Sequence, residues 1–339
     1  NQSISAFNEY ISTKDATYLN EVLYQLGYLY IETKYLKNAI NSFEEYLSKG
    51  YKTHADEVQY QLGILYIKNK QPRKAIAVYE QYLSGVVKEH TAITQLSLGS
   101  LYFETKQPFL ALAAFENARQ YPQYQQNIRL LQTLKVLYRE TASEARYLKF
   151  LKEVADDSKL SEKDRHEFQT QLFLIYYDQK NCGKFISELG KNSGYLKYSK
   201  DSNIDEWHHF LFLRGSCHFE EQRWSEVITD LRKVKNNGKY REQSISMLLE
   251  GLKQLEDWES ITWELQDVFE RGSPLMTIDH YKLWSFSAQR RNDSQRLKRI
   301  KIIFERWRRS FPEDQGNIDR LQKYITESRI QELTREGNW

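Results

Sequence analysis

The sequence lacks most of the features that mark an enzyme or a membrane-spanning chain. It has no Gly-rich phosphate loop, no His-Glu-x-x-His and no Gly-x-Ser-x-Gly. Neither phosphate cradling nor the common hydrolytic chemistries are therefore expected, and no cofactor. There is no run of about 18 apolar residues, which excludes a membrane-spanning helix. Cysteine is nearly absent. Cys182 and Cys217 are the only two, and they read as buried, reduced thiols in preference to a pair. The seven histidines are scattered. Their nearest approach to a cluster is His208, His209 and His218 with Cys217. His209 and His218 would lie about 14 Å apart along a helix axis, too far to share one metal, so no metal site is expected. An excess of either charge is also lacking: 49 Lys and Arg against 46 Asp and Glu leave +3, which does not by itself imply nucleic acid.

What the chain has in abundance is tyrosine, placed at a fixed step. Leu26-Gly27 recurs as Leu62-Gly63 and Leu98-Gly99, and Tyr30 recurs as Tyr66 and Tyr102. Ala39 recurs as Ala75 and Ala111, and Phe43 as Tyr79 and Phe115. Every step is 36 residues, a period that signals stacked structural repeats. Within a unit, Leu23, Leu26, Gly27 and Tyr30 share one face of a first helix. Leu36, Ala39, Ile40, Phe43 and Leu47 mark a second. Pro72 and Pro108 suit the opening turn of that second helix, where a missing N–H costs nothing. A mid-helix glycine costs about 1 kcal/mol relative to alanine, and its threefold recurrence predicts a close helix-helix approach.

Leu-Gly-x-x-Tyr, with alanine and then an aromatic at fixed distances beyond, resembles the tetratricopeptide repeat. The third copy is nearest: Leu98, Gly99, Tyr102, Ala111, Phe115 and Ala118, with Pro122 following. Tyr46 and Tyr82 depart from the family's alanine, and the unit is two residues longer than its usual ~34. The resemblance implies an all-α fold, a right-handed α-solenoid of tandem helix-turn-helix repeats with a C-terminal capping helix. The expected organisation is a half repeat plus about five units over 1–189, a loop insertion at 190–204, about three units over 205–312, and the capping helix over 313–339. Phe7 and Tyr10 would be second-helix residues of a unit whose first helix lies upstream. Thr53 and Ser161, each three residues before an aspartate, read as helix starts of the capping type.

A second apolar row runs along the first helices. Tyr24, Tyr28 and Ile31 recur as Tyr60, Ile64 and Ile67, then as Leu96, Ser100 and Phe103. Later counterparts are Phe212, Ser216 and Phe219, and Leu248, Leu252 and Leu255. The family resemblance implies that these places line the inner, concave surface. The candidate partner groove is therefore Tyr24, Tyr28, Tyr60, Ile64, Leu96, Phe103, Phe212 and Phe219, with packing between neighbouring first helices as the competing reading. Tyrosine at these places argues against a lysine and asparagine clamp for a partner's carboxylates. A second candidate is basic: nine Lys and Arg stand against two acids between Arg290 and Arg309. Arg290, Arg291, Arg296, Lys298, Arg299, Arg306, Arg308 and Arg309 form this anionic-partner patch.

The reading is a non-enzymatic interaction scaffold that binds a helix or extended peptide of another protein in an apolar, tyrosine-rich groove. The alternatives are a structural subunit of an envelope or motor assembly, docking through its open N-terminal end, and a regulator meeting an anionic partner through 290–309. Nucleic acid is disfavoured for want of an extended basic track. A start at Asn1 would suit a bacterial protein exported to the periplasm after loss of a leader or anchor. It would equally suit a trimmed cytoplasmic protein.

Overall fold

A computed structural model describes residues 2–13, 17–84, 89–270, 278–291 and 293–310. Its first helices are α1 (Gln2–Ser12), α2 (Leu19–Glu32), α3 (Leu36–Ser48), α4 (Ala55–Lys68), α5 (Pro72–Leu83), α6 (Thr91–Glu104) and α7 (Pro108–Arg119). They are followed by α8 (Pro122–Gln125), α9 (Ile128–Thr141), α10 (Glu144–Ala155), α11 (Glu162–Asp178), α12 (Cys182–Lys191) and α13 (Ser193–Ser202). The remainder are α14 (Ile204–Glu220), α15 (Trp224–Val234), α16 (Arg241–Gln254), α17 (Trp258–Glu270), α18 (Ile278–Arg290) and α19 (Ser294–Ser310). No strand occurs among the described residues. The fold is an all-α solenoid in which α2 pairs with α3, α4 with α5, α6 with α7, and α14 with α15.

The turn inside each pair has one construction. Lys34, Lys70, Lys106, Lys180, Gln222 and Glu256 take positive φ, between 53° and 65°. The following N–H then reaches back to a helix carbonyl, as Tyr35 to Tyr30, Gln71 to Tyr66 and Gln107 to Tyr102. This left-handed C-cap satisfies carbonyls that the helix end leaves orphaned. Proline opens α5 and α7, as its position predicts.

The mid-helix glycines are needed for close approach. A Cβ built on Gly27 would stand 2.3 Å from Phe43 Cε1, on Gly63 2.0 Å from Tyr79 Cε1, and on Gly99 2.6 Å from Phe115 Cδ1. Those rings are buried, so the helix pair closes only over a bare backbone.

Successive units are joined by tyrosine. The Tyr66 hydroxyl on α4 donates to Glu44 on α3 at 2.5 Å. Tyr102 does the same to Glu80, and Tyr138 to Glu116. At the corresponding place the Tyr30 hydroxyl accepts from the Asn8 side-chain amide at 3.1 Å. The tyrosines that depart from the family pattern have an equally regular use. Tyr10, Tyr46 and Tyr82 each accept, on the hydroxyl, the backbone N–H of the residue just before the next helix: Tyr18 at 3.0 Å, His54 at 3.0 Å and His90 at 3.1 Å. A longer connection between units is thereby pinned by a side chain that alanine could not replace.

Several expectations are corrected. Residues 190–204 are not a loop: α12 runs to Lys191, α13 fills Ser193–Ser202 and α14 begins at Ile204. Burial overrides their Gly, Ser, Asn and Lys composition. Tyr195 packs 4.9 Å from both Phe173 and Phe210, and Ser199 is fully enclosed. Cys182 and Cys217 are bonded as a disulfide between α12 and α14, which flank that extra helix. Thr53 is not a helix cap, since α4 starts after His54 without a side-chain cap. Ser161 does cap α11, accepting the Asp164 N–H at 3.1 Å. The expected capping helix at 313–339 lies outside the described residues. The chain forms two compact units, Asn1–Leu172 and Phe173–Trp339.

Candidate functional site

In the first unit the second row of first-helix side chains is neither core nor free surface. Tyr24, Tyr28, Tyr60, Ile64 and Leu96 are half-buried. Phe103 leaves 49% of its surface in water, and Ile67 41%. The covered part of each ring faces its neighbours. Tyr24 stacks on His54 at 4.1 Å, and Tyr60 on His90 at 4.1 Å. Tyr28 meets Tyr24 and Phe43 edge-on, at 5.0 and 5.6 Å.

Carboxylates are woven into this row. Tyr28 donates its hydroxyl to Glu57 at 2.7 Å, and Gln61 donates to the same carboxylate at 3.0 Å. Burial, and then the bond to Glu57, pushes the Tyr28 hydroxyl far above its usual range. Burial works against the Glu57 carboxylate, but the Tyr28 and Gln61 hydrogen bonds outweigh it and hold its pKa below the ordinary value. His90 lies 3.7 Å from Glu57, and His54 lies 3.5 Å from Glu21. Glu21, Glu57, His54 and His90 are thus part of the site although apolar patterning passes over them. They obey the same 36-residue step, so the period applied to polar residues would have found them.

In the second unit Phe212 stacks on Tyr240 at 4.7 Å and Phe219 meets Trp224 edge-on at 5.5 Å. Both are half-buried. Their counterparts Leu248 and Leu252 are completely buried, in a cluster with Ile261, Leu265 and Trp284. Here the row is core, which corrects the expectation of an open stripe; only Leu255 is exposed, at 46%. His208 contacts Asn237 and His209 contacts Tyr240. No three His, Cys, Asp or Glu among the described residues are grouped to hold a metal.

The basic patch is partly engaged. Arg290 lies over Phe286 at 5.1 Å and Arg296 over Trp263 at 5.4 Å. Arg291 pairs with Glu259 at 3.4 Å. Lys298, Arg299 and Arg306 are exposed. The side chains of Arg308 and Arg309 lie outside those described.

Residues 21–48 and 57–84 each match a family model of the tetratricopeptide repeat. Those two segments are tetratricopeptide repeats. Among solved structures, a tetratricopeptide repeat protein from Parabacteroides merdae is 12% identical, over 90% of this chain and 98% of its own, with a TM-score of 0.33. YrrB, described as a tetratricopeptide protein with an unusual peptide-binding site, is 16% identical over 57% of this chain and 98% of its own, with a TM-score of 0.36. A chain in the structure of Naa15/Naa10 bound to HypK-THB is 16% identical over 87% of this chain and 42% of that one, with a TM-score of 0.46. No curated protein matches the sequence. The tetratricopeptide architecture makes the molecule a protein-interaction scaffold. No described helix is long and apolar enough to cross a membrane.

Proposed function

We propose that the row from Tyr24 to Phe103 is a groove that holds a helix or extended segment of a partner protein, and that the protein works by binding, without catalysis. The observation that carries this reading is Phe103. A phenylalanine 49% exposed, in line with half-buried Leu96, Ile64 and Tyr60, continues an apolar strip into solvent. Ordered apolar strips of this kind mark contact sites. The inner tyrosines are fixed by ring contacts and by Glu57, so the partner would meet a rigid surface and lose little affinity to ordering it.

A photo-crosslinking residue placed at position 103 tests the proposal in cells that make the protein. It should trap a partner covalently. The same residue at position 109, where Phe109 is 69% exposed on a second helix, should not. Trapping at 109 alone, or at neither position, would show the groove assignment to be wrong.

A further inference from the structure

The solvent side of α19 carries an arrangement that the groove does not use. Ile302 is 62% exposed. On a helix its near neighbours on the same side are Lys298 and Arg299 before it and Glu305 and Arg306 after it, at spacings of three and four; the three cations are exposed and outnumber the one acid. The opposite side of the helix is the packed one, through Leu297, Ile300 and Ile303. At the edge toward α17, Trp263 leaves 57% of its surface in water, with the Arg296 guanidinium 5.4 Å from its ring centre. The Arg296 Nε lies 3.6 Å from the Asp293 carboxylate, so this guanidinium is held in place over the ring by a carboxylate of its own helix. Apolar side chains therefore stand in solvent, each beside cations.

We propose that this face is a second docking surface, for an acidic protein segment whose carboxylates flank a bulky apolar residue. The charge complementarity is local: the stretch from Arg290 to Arg309 holds nine of the chain's Lys and Arg against two acids. A nucleic acid backbone would neutralise the cations but offers nothing to cover Ile302 and Trp263. An acidic amphipathic segment satisfies both kinds of group at once. Electrostatic complementarity of this sort acts chiefly on association and is weakened by salt.

The test uses the full chain and a fluorescein-labelled helical peptide built from Glu, Leu and Ala, read by anisotropy at low and moderate salt. Binding should appear at low salt. Lys298→Glu should weaken it about tenfold, and Ile302→Ser or replacement of every peptide Leu by Ser should weaken it at least several-fold. Both substitutions are on exposed side chains, and circular dichroism of each variant checks that the fold is kept. Phe103→Ser should leave this binding unchanged, which separates it from the groove. The proposal is overturned by any of four results: no binding of the Glu/Leu peptide, equal binding by Ile302→Ser, loss of binding in Phe103→Ser, or tighter capture of duplex DNA or phosphatidylserine vesicles that ignores Ile302→Ser.

Discussion

Tyr66 of one repeat gives its hydroxyl proton to a hydrogen bond with Glu44 of the repeat before it, 2.5 Å away, and Lys74 closes on the same carboxylate at 2.9 Å. The Tyr66 bond, aided by Lys74, holds the Glu44 pKa below its ordinary value. The contact recurs at Tyr102 and Tyr138, so the stacking of units depends on a polar bond as well as on apolar burial.

Tyr66→Phe should destabilise the protein by about 1 kcal/mol near neutral pH. Because the folded pKa of Glu44 is depressed, its contribution is present above the unfolded value and is lost as the pH falls through the folded one. The difference between wild type and Tyr66→Phe in urea unfolding should therefore narrow below about pH 4. A difference that stays constant across that range would mean that Glu44 is not the partner that matters.

Two glycines at corresponding places should respond oppositely to alanine. At Gly63 the new methyl would lie 2.0 Å from the buried Tyr79 ring, and Gly63→Ala should cost about 1–3 kcal/mol despite its better helix propensity. At Gly251 the nearest atom is Val227 Cγ1 at 3.5 Å, an ordinary contact. Gly251→Ala should be neutral or stabilise by up to about 1 kcal/mol. Thermal melting of the two variants side by side decides between them.

Asp230 is 2% exposed and receives Arg214 through two hydrogen bonds, at 2.6 and 2.7 Å. Asp230→Ala strands that guanidinium and should cost about 3–5 kcal/mol. His218 lies 4.0 Å from the same carboxylate, and burial pushes its pKa down. A depressed histidine contributes stability above its unfolded value of 6.5, and that contribution is lost as the pH falls toward the folded value. His218→Phe should flatten the fall in stability below neutrality, as followed by denaturant titration at several pH values.

Reduction should loosen the second unit selectively. The Cys182–Cys217 bond closes a 35-residue separation, for which the loss of unfolded-chain freedom is worth about 3–4 kcal/mol. Such bonds persist in oxidising surroundings. Hydrogen exchange in α12 to α14 should rise in reductant and in Cys182→Ser, while exchange in α2 to α7 stays the same. Equal rates with and without reductant would mean that packing alone holds these helices.

Phe103→Ser and Tyr28→Ser should separate binding from folding. Phe103 is 49% exposed, so its loss should change stability by less than about 0.5 kcal/mol. Tyr28 is tied to Glu57 and packed on Phe43, so Tyr28→Ser should cost about 1–3 kcal/mol. Calorimetric melting of both distinguishes the two roles.

The 36-residue step, the paired helices, the helix-opening prolines and the need for Gly27, Gly63 and Gly99 were all legible in the chain. Each is a local preference repeated until it could not be accidental. The same 36-residue step relates Glu21 to Glu57 and His54 to His90, a polar periodicity that apolar patterning does not register. Residues 190–204 misled because their composition is that of a loop. Their helix depends on Tyr195 and Ser199 being enclosed by segments distant in sequence.

The amino-acid sequence by itself thus determined the repeating unit, because helix periodicity and glycine spacing act within a few residues of one another. The tertiary structure alone decided which apolar residues stayed at the surface. Leu248 and Leu252 hold the same places on their helix as Tyr60 and Ile64 do, yet they are buried in the core. Whether a side chain meets water depends on what the next helices lay over it. The pairing of Cys182 with Cys217 was decided in the same way, since a disulfide needs two sulfurs brought together by packing that no short stretch of chain encodes.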